Sequence, residues 1–402
     1  METKSETFPS RQADRTGRHD ANGNDGSPPD EFRTAARPHL SAVIDVLRFP
    51  LISLVVLYHA FNCTVTLPPG AYDWHQPVTE FVYWKLLHDF IARSAVPLFF
   101  ALSGFLYFHR GSFGWSMWIG KTKARLFRLW VPLLAWADLA LLFWGVLYLC
   151  GSPNATARSL FGSPHSFGWW VDAFLGLRSV PGPHLFPAGW FVRDLFFAGL
   201  LSGVWHFLFE RKRLVVPVLV CLYALYLTVF APFPFLGSRA MFFFCLGAAY
   251  AMHGRDFVAD AERVAIPCAI LWVLGFAVLL FKDIPFVNAL ATTFLIPVLV
   301  ALASYGVRRG WLRPVPWLAA SAFFVYFCHE SMWFRVPWDS LRRHLFVPYG
   351  DWACLGFILL NWIAGTVLPL AGFLLLRRFV PRSLIVLAGI SPSKIRGKKK
   401  GT

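Results

Sequence analysis

The stretch RFPLISLVVLYH places an arginine, Arg48, and a histidine, His59, at the two ends of an apolar run. On an α-helix, eleven residues correspond to about 1,100°, so both side chains project from one face, with His59 about 16 Å further along the axis. Asp45 lies one turn before Arg48, close to the same face. An ionisable side chain deep in a membrane is costly unless it faces the bundle interior or water. The spacing therefore predicts a polar functional site. The alternative is a purely structural role, in which the buried imidazole has hydrogen-bond partners in the protein and the arginine sets the orientation of the helix in the membrane.

A second candidate group is the pair Arg125 and Arg128, which lies in the basic stretch KTKARLFRLWVP. Residues three apart share a helix face, and paired guanidinium groups bind phosphates through planar, multidentate hydrogen bonds. The alternative is positive-inside anchoring of the helix end. In the preceding apolar run, Ser103 and Gly104 place a hydroxyl beside a residue that permits close approach of a helix or a ligand.

Further ionisable residues interrupt later apolar runs. Arg193 and Asp194 lie in AGWFVRDLFF, where we expect an internal ion pair or the polar lining of a cavity. His329 and Glu330 lie near the outer end of SAFFVYFCHESMWF. Together with the first pair, these residues predict a polar interior that crosses the bilayer.

The elements that must position these residues are membrane helices. The chain has 402 residues, of which 56% are hydrophobic and 15% charged, whereas a soluble domain is about one quarter charged. Because a bilayer core needs about 20 apolar residues per helix, we predict an all-α polytopic membrane protein with about ten transmembrane helices. The approximate spans are 46–67, 91–108, 129–150, 189–209, 214–231, 236–252, 264–281, 286–305, 316–334 and 352–376.

The predicted domain organisation is a disordered cytoplasmic N-terminal tail (1–39), a ten-helix membrane domain (40–380) and a basic cytoplasmic C-terminal tail (381–402). Lys and Arg concentrate in the loops on the side of both tails, so the positive-inside rule predicts that both termini are cytoplasmic. The outer arginines from Arg335 to Arg343 run against this rule. The net charge of +16 comes mainly from basic residues in these loops and in the tails. Because basic residues at these positions orient membrane helices, the charge is not evidence for nucleic-acid binding.

The seven cysteines are scattered through apolar surroundings without C-x-x-C spacing. This pattern predicts neither a disulfide framework nor a zinc site, and we expect no metal. The cysteines are interpreted as small buried residues, and a bridge between Cys63 and Cys150 is the alternative.

Taken in order, these motifs resemble the acyltransferase 3 family of integral-membrane acyltransferases. The first run resembles the family's Arg-x10-His element, with the usual preceding Asp, and PLFFALSGFLYF resembles its second-span Ser-Gly-Phe block. Arg125-Leu126-Phe127-Arg128 matches its cytoplasmic Arg-x-x-Arg, while GWFVRDLFF and FFVYFCHESMW resemble later blocks. The resemblance covers about residues 40–380, and ten spans agree with the family's usual count.

The resemblance implies an O-acyltransferase of a bacterial inner membrane. The donor would be cytoplasmic acetyl-CoA or another acyl-CoA, and the acceptor a hydroxyl of a cell-envelope glycan or lipid-linked saccharide. Some family members carry a fused hydrolase-like domain after the last span. Because this chain ends soon after its own last span, we expect it to act alone or with a separate envelope partner protein. The alternative function is a glycan or lipid transporter or flippase, which would leave the thioester intact.

Under this resemblance, His59 is either a general base or a nucleophile that relays the acyl group, and the sequence leaves both roles open. Arg48 contacts the pantetheine arm or the thioester, or stabilises developing oxyanion charge. Arg125 and Arg128 bind the coenzyme A phosphates, while His329 and Glu330 serve the acceptor side. The remaining candidates for substrate or donor binding are Ser103 and Arg193.

Overall fold

The structure, a computed structural model, is helical, as expected for a chain whose backbone polar groups must be satisfied within a membrane. It describes residues 30–61, 77–109, 113–152, 154–175, 185–186, 188–228, 235–346 and 349–391, and these contain no β-strand. Residues from His39 onward form one compact unit. Most of the predicted N-terminal tail, half of the predicted C-terminal tail, and Cys63 with its alternative bridge lie outside the described residues.

The helices are numbered in chain order. The α-helices are α1 (Asp30–His59), α2 (Ala95–Phe108), α3 (Trp115–Arg125), α4 (Val131–Leu149), α5 (Ala155–Phe161), α6 (Phe167–Leu175), α7 (Gly189–Leu200), α8 (Ser202–Glu210), α9 (Lys212–Leu227), α10 (Ser238–Met252), α11 (Phe257–Phe281), α12 (Pro285–Arg308), α13 (Pro316–His329), α14 (Met332–Leu345), α15 (Asp351–Phe379) and α16 (Ser383–Ala388). Two segments are π-helical, Thr79–Asp89 and Leu126–Trp130, and Ala92–Ser94 is a 3₁₀ turn.

The prediction of an all-α multi-pass membrane protein is confirmed. Six helical runs in the described part of the chain are long and apolar enough to cross a membrane: Pro38–His59, Thr79–Phe108, Trp115–Leu149, Phe257–Phe281, Pro285–Arg308 and Asp351–Phe379. The pair α7 and α8, bent by 51°, makes a seventh if it counts as one span.

The count of ten spans is not confirmed, although the described part of each predicted apolar run lies mostly on helices. The helices α9, α10 and α13 have only 16, 15 and 14 residues, whereas a complete span needs about 20. The cytoplasmic orientation of the termini stays a prediction.

The outward faces of the long helices are apolar, as a lipid environment requires. On α11, Ile266 is 75% exposed and Leu274 is 58% exposed. A soluble protein rarely leaves such a contiguous apolar surface uncovered. These faces are therefore interpreted as lipid-facing.

Helices α2 and α10 approach each other closely at two glycines, Gly104 and Gly247. A Cβ atom on Gly104 would overlap the carbonyl oxygen of Phe244, and one on Gly247 would overlap the carbonyl oxygen of Ala101. Small residues allow transmembrane helices to approach at backbone distance. Gly104 thus permits the close approach of a helix, and it fixes the position of its neighbour Ser103.

We expect the substitution Gly104→Ala to destabilise the protein by about 1–3 kcal/mol, because the methyl group would push two backbones apart. The matched control is Gly120→Ala on α3, where an added Cβ would meet nothing within 4 Å. This control should be neutral or stabilising by up to about 1 kcal/mol, since alanine favours helix over glycine. Thermal unfolding of both purified variants in detergent would check the prediction, and equal midpoints would contradict it.

Candidate active site

A cavity of about 430 Å³ lies between α1, α2, α3, α7 and α13. On α1 it is lined by Ile44, Arg48, Ile52 and Val55, which are spaced three or four residues apart and therefore form one helical stripe. The cavity begins at a basic end, which consists of Lys121, Arg125 and Arg128.

The α1 stripe continues beyond the cavity to His59, one turn after Val55. The Nδ1 atom of His59 lies 3.6 Å from Oε1 of Glu330, and its ring centroid lies 5.6 Å from that of His329. The other carboxylate oxygen of Glu330 accepts a hydrogen bond of 2.8 Å from Nη1 of Arg335. We call His59, His329, Glu330 and Arg335 the histidine end of the site.

A break between two helices places three of these residues. Helix α13 ends at His329, and α14 begins at Met332. Ser331 closes the turn because its backbone N–H and its hydroxyl both donate to the carbonyl of Cys328. Glu330 therefore lies at the helix end with 2% exposure, and Arg335 reaches it from the first turns of α14.

Arg335 is one of the arginines that are predicted to lie on the outer side, against the positive-inside rule. Its side chain is 8% exposed and pairs with a buried carboxylate. Burial of Glu330 as a carboxylate would be costly without such a partner. The ion pair therefore gives a structural reason for a basic residue at this position.

His329 presents one ring nitrogen to Glu330. Its Nδ1 lies 3.2 Å from the carbonyl oxygen of Val325, and this bond fixes Nδ1 as the donor. Its Nε2 lies 4.0 Å from Oε1 of Glu330 and has no hydrogen-bond partner among the described residues. The second imidazole therefore contributes an acceptor nitrogen to the histidine end.

The same residues are the donor set that could hold a metal ion. One ligand atom from each of His59, His329 and Glu330 lies within 4.8 Å of the others, and two imidazoles with a carboxylate suit a transition metal such as zinc. The guanidinium of Arg335 on the same carboxylate opposes a further positive charge. The expectation that the protein uses no metal stays a prediction.

At the basic end, the two arginines of the Arg-x-x-Arg motif differ in their surroundings. Arg125 donates to the carbonyl of Leu195 at 2.8 Å and to the hydroxyl of Ser103 at 3.0 Å, and its guanidinium lies 4.7 Å from the ring centroid of Tyr107. Arg128 is exposed. Leu126–Trp130 is π-helical, so the three-residue spacing does not repeat α-helical geometry there. Both arginines still line the cavity, one in its wall and one at its rim.

Arg193 and Asp194 form an internal ion pair, as one of the two sequence expectations stated. The side chains are 0% and 1% exposed, and Nη2 of Arg193 lies 2.9 Å from Oδ1 of Asp194. The other carboxylate oxygen accepts from the backbone N–H of Gly237 at 2.9 Å. Arg193 is not among the described residues that line the cavity. Its assignment to donor binding stays a prediction.

Sequence reasoning missed a second polar cluster beside His59. The ring of Tyr58 lies 5.1 Å from that of His59 and stacks at 4.1 Å on that of His88. The Nδ1 atom of His88 lies 2.8 Å from Oδ1 of Asp89, which also pairs with Arg93 at 2.8 Å. The signal in the sequence was the run of ionisable residues in WKLLHDFIAR, which runs into the start of the predicted second span.

Comparison with known proteins identifies the family. The acyltransferase 3 model, described as an acyltransferase domain, matches residues 42–378. The chain belongs to this family. The succinoglycan biosynthesis protein ExoH of Rhizobium meliloti (strain 1021) is 28% identical over 247 residues, which cover 58% of this chain and 59% of that protein. No solved structure gave a significant match. The family predicted from the motifs is therefore confirmed.

We expect the substitution Arg193→Met to destabilise the protein by about 3–5 kcal/mol, because Asp194 would keep a buried charge without its partner. The control is Arg263→Met, since the side chain of Arg263 is 77% exposed in its pair with Asp260 and such pairs contribute at most about 1 kcal/mol. Thermal unfolding in detergent measures both effects. A stable Arg193→Met protein with weakened acyl-CoA binding would instead support the donor-binding role.

Proposed function

We propose that this family member is a membrane O-acyltransferase of a bacterial inner membrane. It would move an acyl group from cytoplasmic acyl-CoA to a hydroxyl of a cell-envelope glycan or lipid-linked saccharide. Membership in the acyltransferase 3 family supports acyl transfer, and the name of the relative, a succinoglycan biosynthesis protein, supports a polysaccharide acceptor. The observation that carries the proposal is the α1 stripe, which runs from Arg48 in the cavity to His59 at Glu330.

In this proposal the donor enters at the basic end, which faces the cytoplasm. Coenzyme A carries several phosphates, and the exposed guanidinium of Arg128 is available to them at the rim. Arg125 shapes the wall through its bonds to Ser103 and Leu195, and its charge still attracts the phosphates. An extended molecule anchored there reaches inward along the cavity.

Arg48 lies between the phosphates and the reacting carbonyl. It pairs with Asp45 at 3.2 Å, and the two side chains are 35% and 37% exposed. A guanidinium has five N–H donors, so it can hold a carboxylate and a second acceptor. We therefore propose that Arg48 donates a hydrogen bond to a pantetheine amide carbonyl or to the thioester oxygen. Ile52 and Val55, beyond it on the stripe, would contact the apolar part of the donor.

His59 acts as the general base in this reaction. A ring nitrogen takes the proton from the acceptor hydroxyl, the hydroxyl oxygen bonds to the thioester carbonyl carbon, and the carbon–sulfur bond breaks. The imidazolium then returns the proton to the coenzyme A thiolate. Glu330 favours this role over an acyl-histidine relay, because a carboxylate beside Nδ1 stabilises the imidazolium that base catalysis forms. We assign the acceptor side to His329, whose ring neighbours that of His59, and to the cluster around His88, which stacks on Tyr58.

We expect His59→Ala to lower acyl transfer by about 10²–10⁴-fold, the usual effect of removing a general acid–base group. The assay would use membrane vesicles with acetyl-labelled acetyl-CoA, and it would measure label in the polysaccharide and lipid-linked fractions. Glu330→Gln, which keeps the shape and removes the charge, should lower kcat with little effect on KM for the donor.

The control is His344→Ala, because His344 is exposed and bonds only to the Ser340 carbonyl of its own helix turn in the described contacts. It should transfer label at the wild-type rate. Full-rate transfer by His59→Ala would exclude the base role. Wild-type vesicles that move glycan or lipid while leaving acetyl-CoA intact would support the alternative, a transporter or flippase.

A further inference from the structure

The backbone at Arg128 departs from α-helical geometry just before a proline. In an α-helix, the carbonyl of Arg128 would accept a hydrogen bond from the residue four positions later, which is Pro132 and has no backbone N–H. The chain is π-helical from Leu126 to Trp130 and returns to an α-helix at Val131. The carbonyl of Arg128 therefore lacks the donor that an ordinary helix would give it.

A glycine at the end of α16 packs directly on this carbonyl. Helix α16 packs against α4 and α13, and it ends at Gly389 in the left-handed conformation, with a φ of +61°. A Cβ atom on Gly389 would overlap the carbonyl oxygen of Arg128, and it would lie 3.0 Å from both the carbonyl carbon and the Cα atom of that residue. Glycine is therefore needed here for two reasons, the positive φ and the close approach of two backbones.

The segment that carries this glycine, residues 384–390, is called the C-terminal turn, and it is itself held in place. The carbonyl of Leu384 accepts a hydrogen bond from the backbone N–H of Gly389, and the side chain of Leu384 is 1% exposed. The carbonyl of Leu387 accepts a hydrogen bond of 3.0 Å from Nε1 of Trp136 on α4. These bonds and the buried side chain make the turn a rigid support for the backbone that it contacts.

The π-helical segment also sets the geometry of the basic end. Arg125 precedes the segment and is held in the cavity wall by its bonds to Ser103 and Leu195. Arg128 lies within the segment and is exposed at the rim. The position of Arg128 relative to Arg125 therefore depends on the π-helical backbone that Gly389 contacts. Two guanidinium groups bind one phosphorylated ligand together only when their relative position suits it, and small displacements of binding groups are costly.

We propose that the C-terminal turn is part of the donor-binding machinery and that Gly389 is a positioning residue for Arg128. This inference rests on the proposed function, in which the guanidinium of Arg128 binds the phosphates of the acyl-CoA. The turn keeps the π-helical backbone in place, so that the charge at the rim meets the phosphates without a prior rearrangement. Donor affinity thus depends on a residue that is not among those lining the cavity.

The test measures the binding of coenzyme A to the purified full chain in detergent by isothermal titration calorimetry. The variants are Gly389→Ala, Arg128→Ala and the double variant. The matched control is Gly310→Ala, because Gly310 has a φ of +72° and an added Cβ would meet nothing within 4 Å. This control imposes a similar backbone strain without the contact. A smaller folded fraction lowers the apparent stoichiometry and leaves the Kd unchanged.

We expect Gly389→Ala and Arg128→Ala each to raise the Kd of coenzyme A by about tenfold or more, the effect of losing one hydrogen bond to a charged group. The double variant should bind no more weakly than Arg128→Ala, because Gly389 acts through that guanidinium. Gly310→Ala should bind as the wild type does. Trp136→Phe removes the bond to the C-terminal turn and should also weaken binding, so it takes the place of Gly389→Ala if that variant does not accumulate.

A wild-type Kd in Gly389→Ala, or in Trp136→Phe where it takes that place, would overturn the inference. Losses that add in the double variant would overturn it as well, since the turn would then act independently of Arg128. The same loss in Gly310→Ala would show that backbone strain alone weakens binding, which also removes the inference. An Arg128→Ala variant with wild-type affinity, or a wild-type chain that binds no coenzyme A, would refute the donor site of the proposed function and the inference with it.

Discussion

The site depends on one buried carboxylate. Glu330 is 2% exposed, and it is held by Arg335 on one oxygen and faces two imidazoles with the other. Removing such a charge from water costs several kcal/mol, which only close partners can offset. This requirement joins the α13–α14 break to the end of α1. It thereby fixes His59 at the end of the stripe that begins in the cavity.

The remaining features follow from that placement. Since α1 carries both Arg48 and His59, the orientation of one helix determines where the cavity leads. The glycine contact between α2 and α10 holds Ser103 against Arg125, which completes the wall of the cavity. The buried pair Arg193–Asp194 connects α7 to the backbone of Gly237 and so stabilises the helix that supplies Phe191.

The sequence indicates Arg48 and His59 as one group and His329 and Glu330 as another, but it does not predict that the two groups meet. Helical periodicity is enough to place Arg48 and His59 on one face, because both lie on a single unbroken helix. The partner of His59 is Glu330, which lies between α13 and α14, more than 250 residues later in the chain. No local sequence pattern predicts a contact over that separation. Likewise, the π-helical turn at Arg128 and the 51° bend between α7 and α8 arise from packing. For this reason the helical class could be predicted, while the number of complete spans could not.

The most direct measurement of the central claim is an electron cryo-microscopy structure of the protein with a non-hydrolysable acetyl-CoA analogue. The account predicts phosphates at Arg128, the pantetheine arm along Arg48 and Ile52, and the acetyl carbonyl beyond Val55, with room for an acceptor oxygen about 3–3.5 Å from it and in reach of His59. An analogue bound outside the cavity would contradict the account. An analogue whose carbonyl lies at Arg48, with its acetyl group still on the cavity side of Tyr326, would also contradict the account.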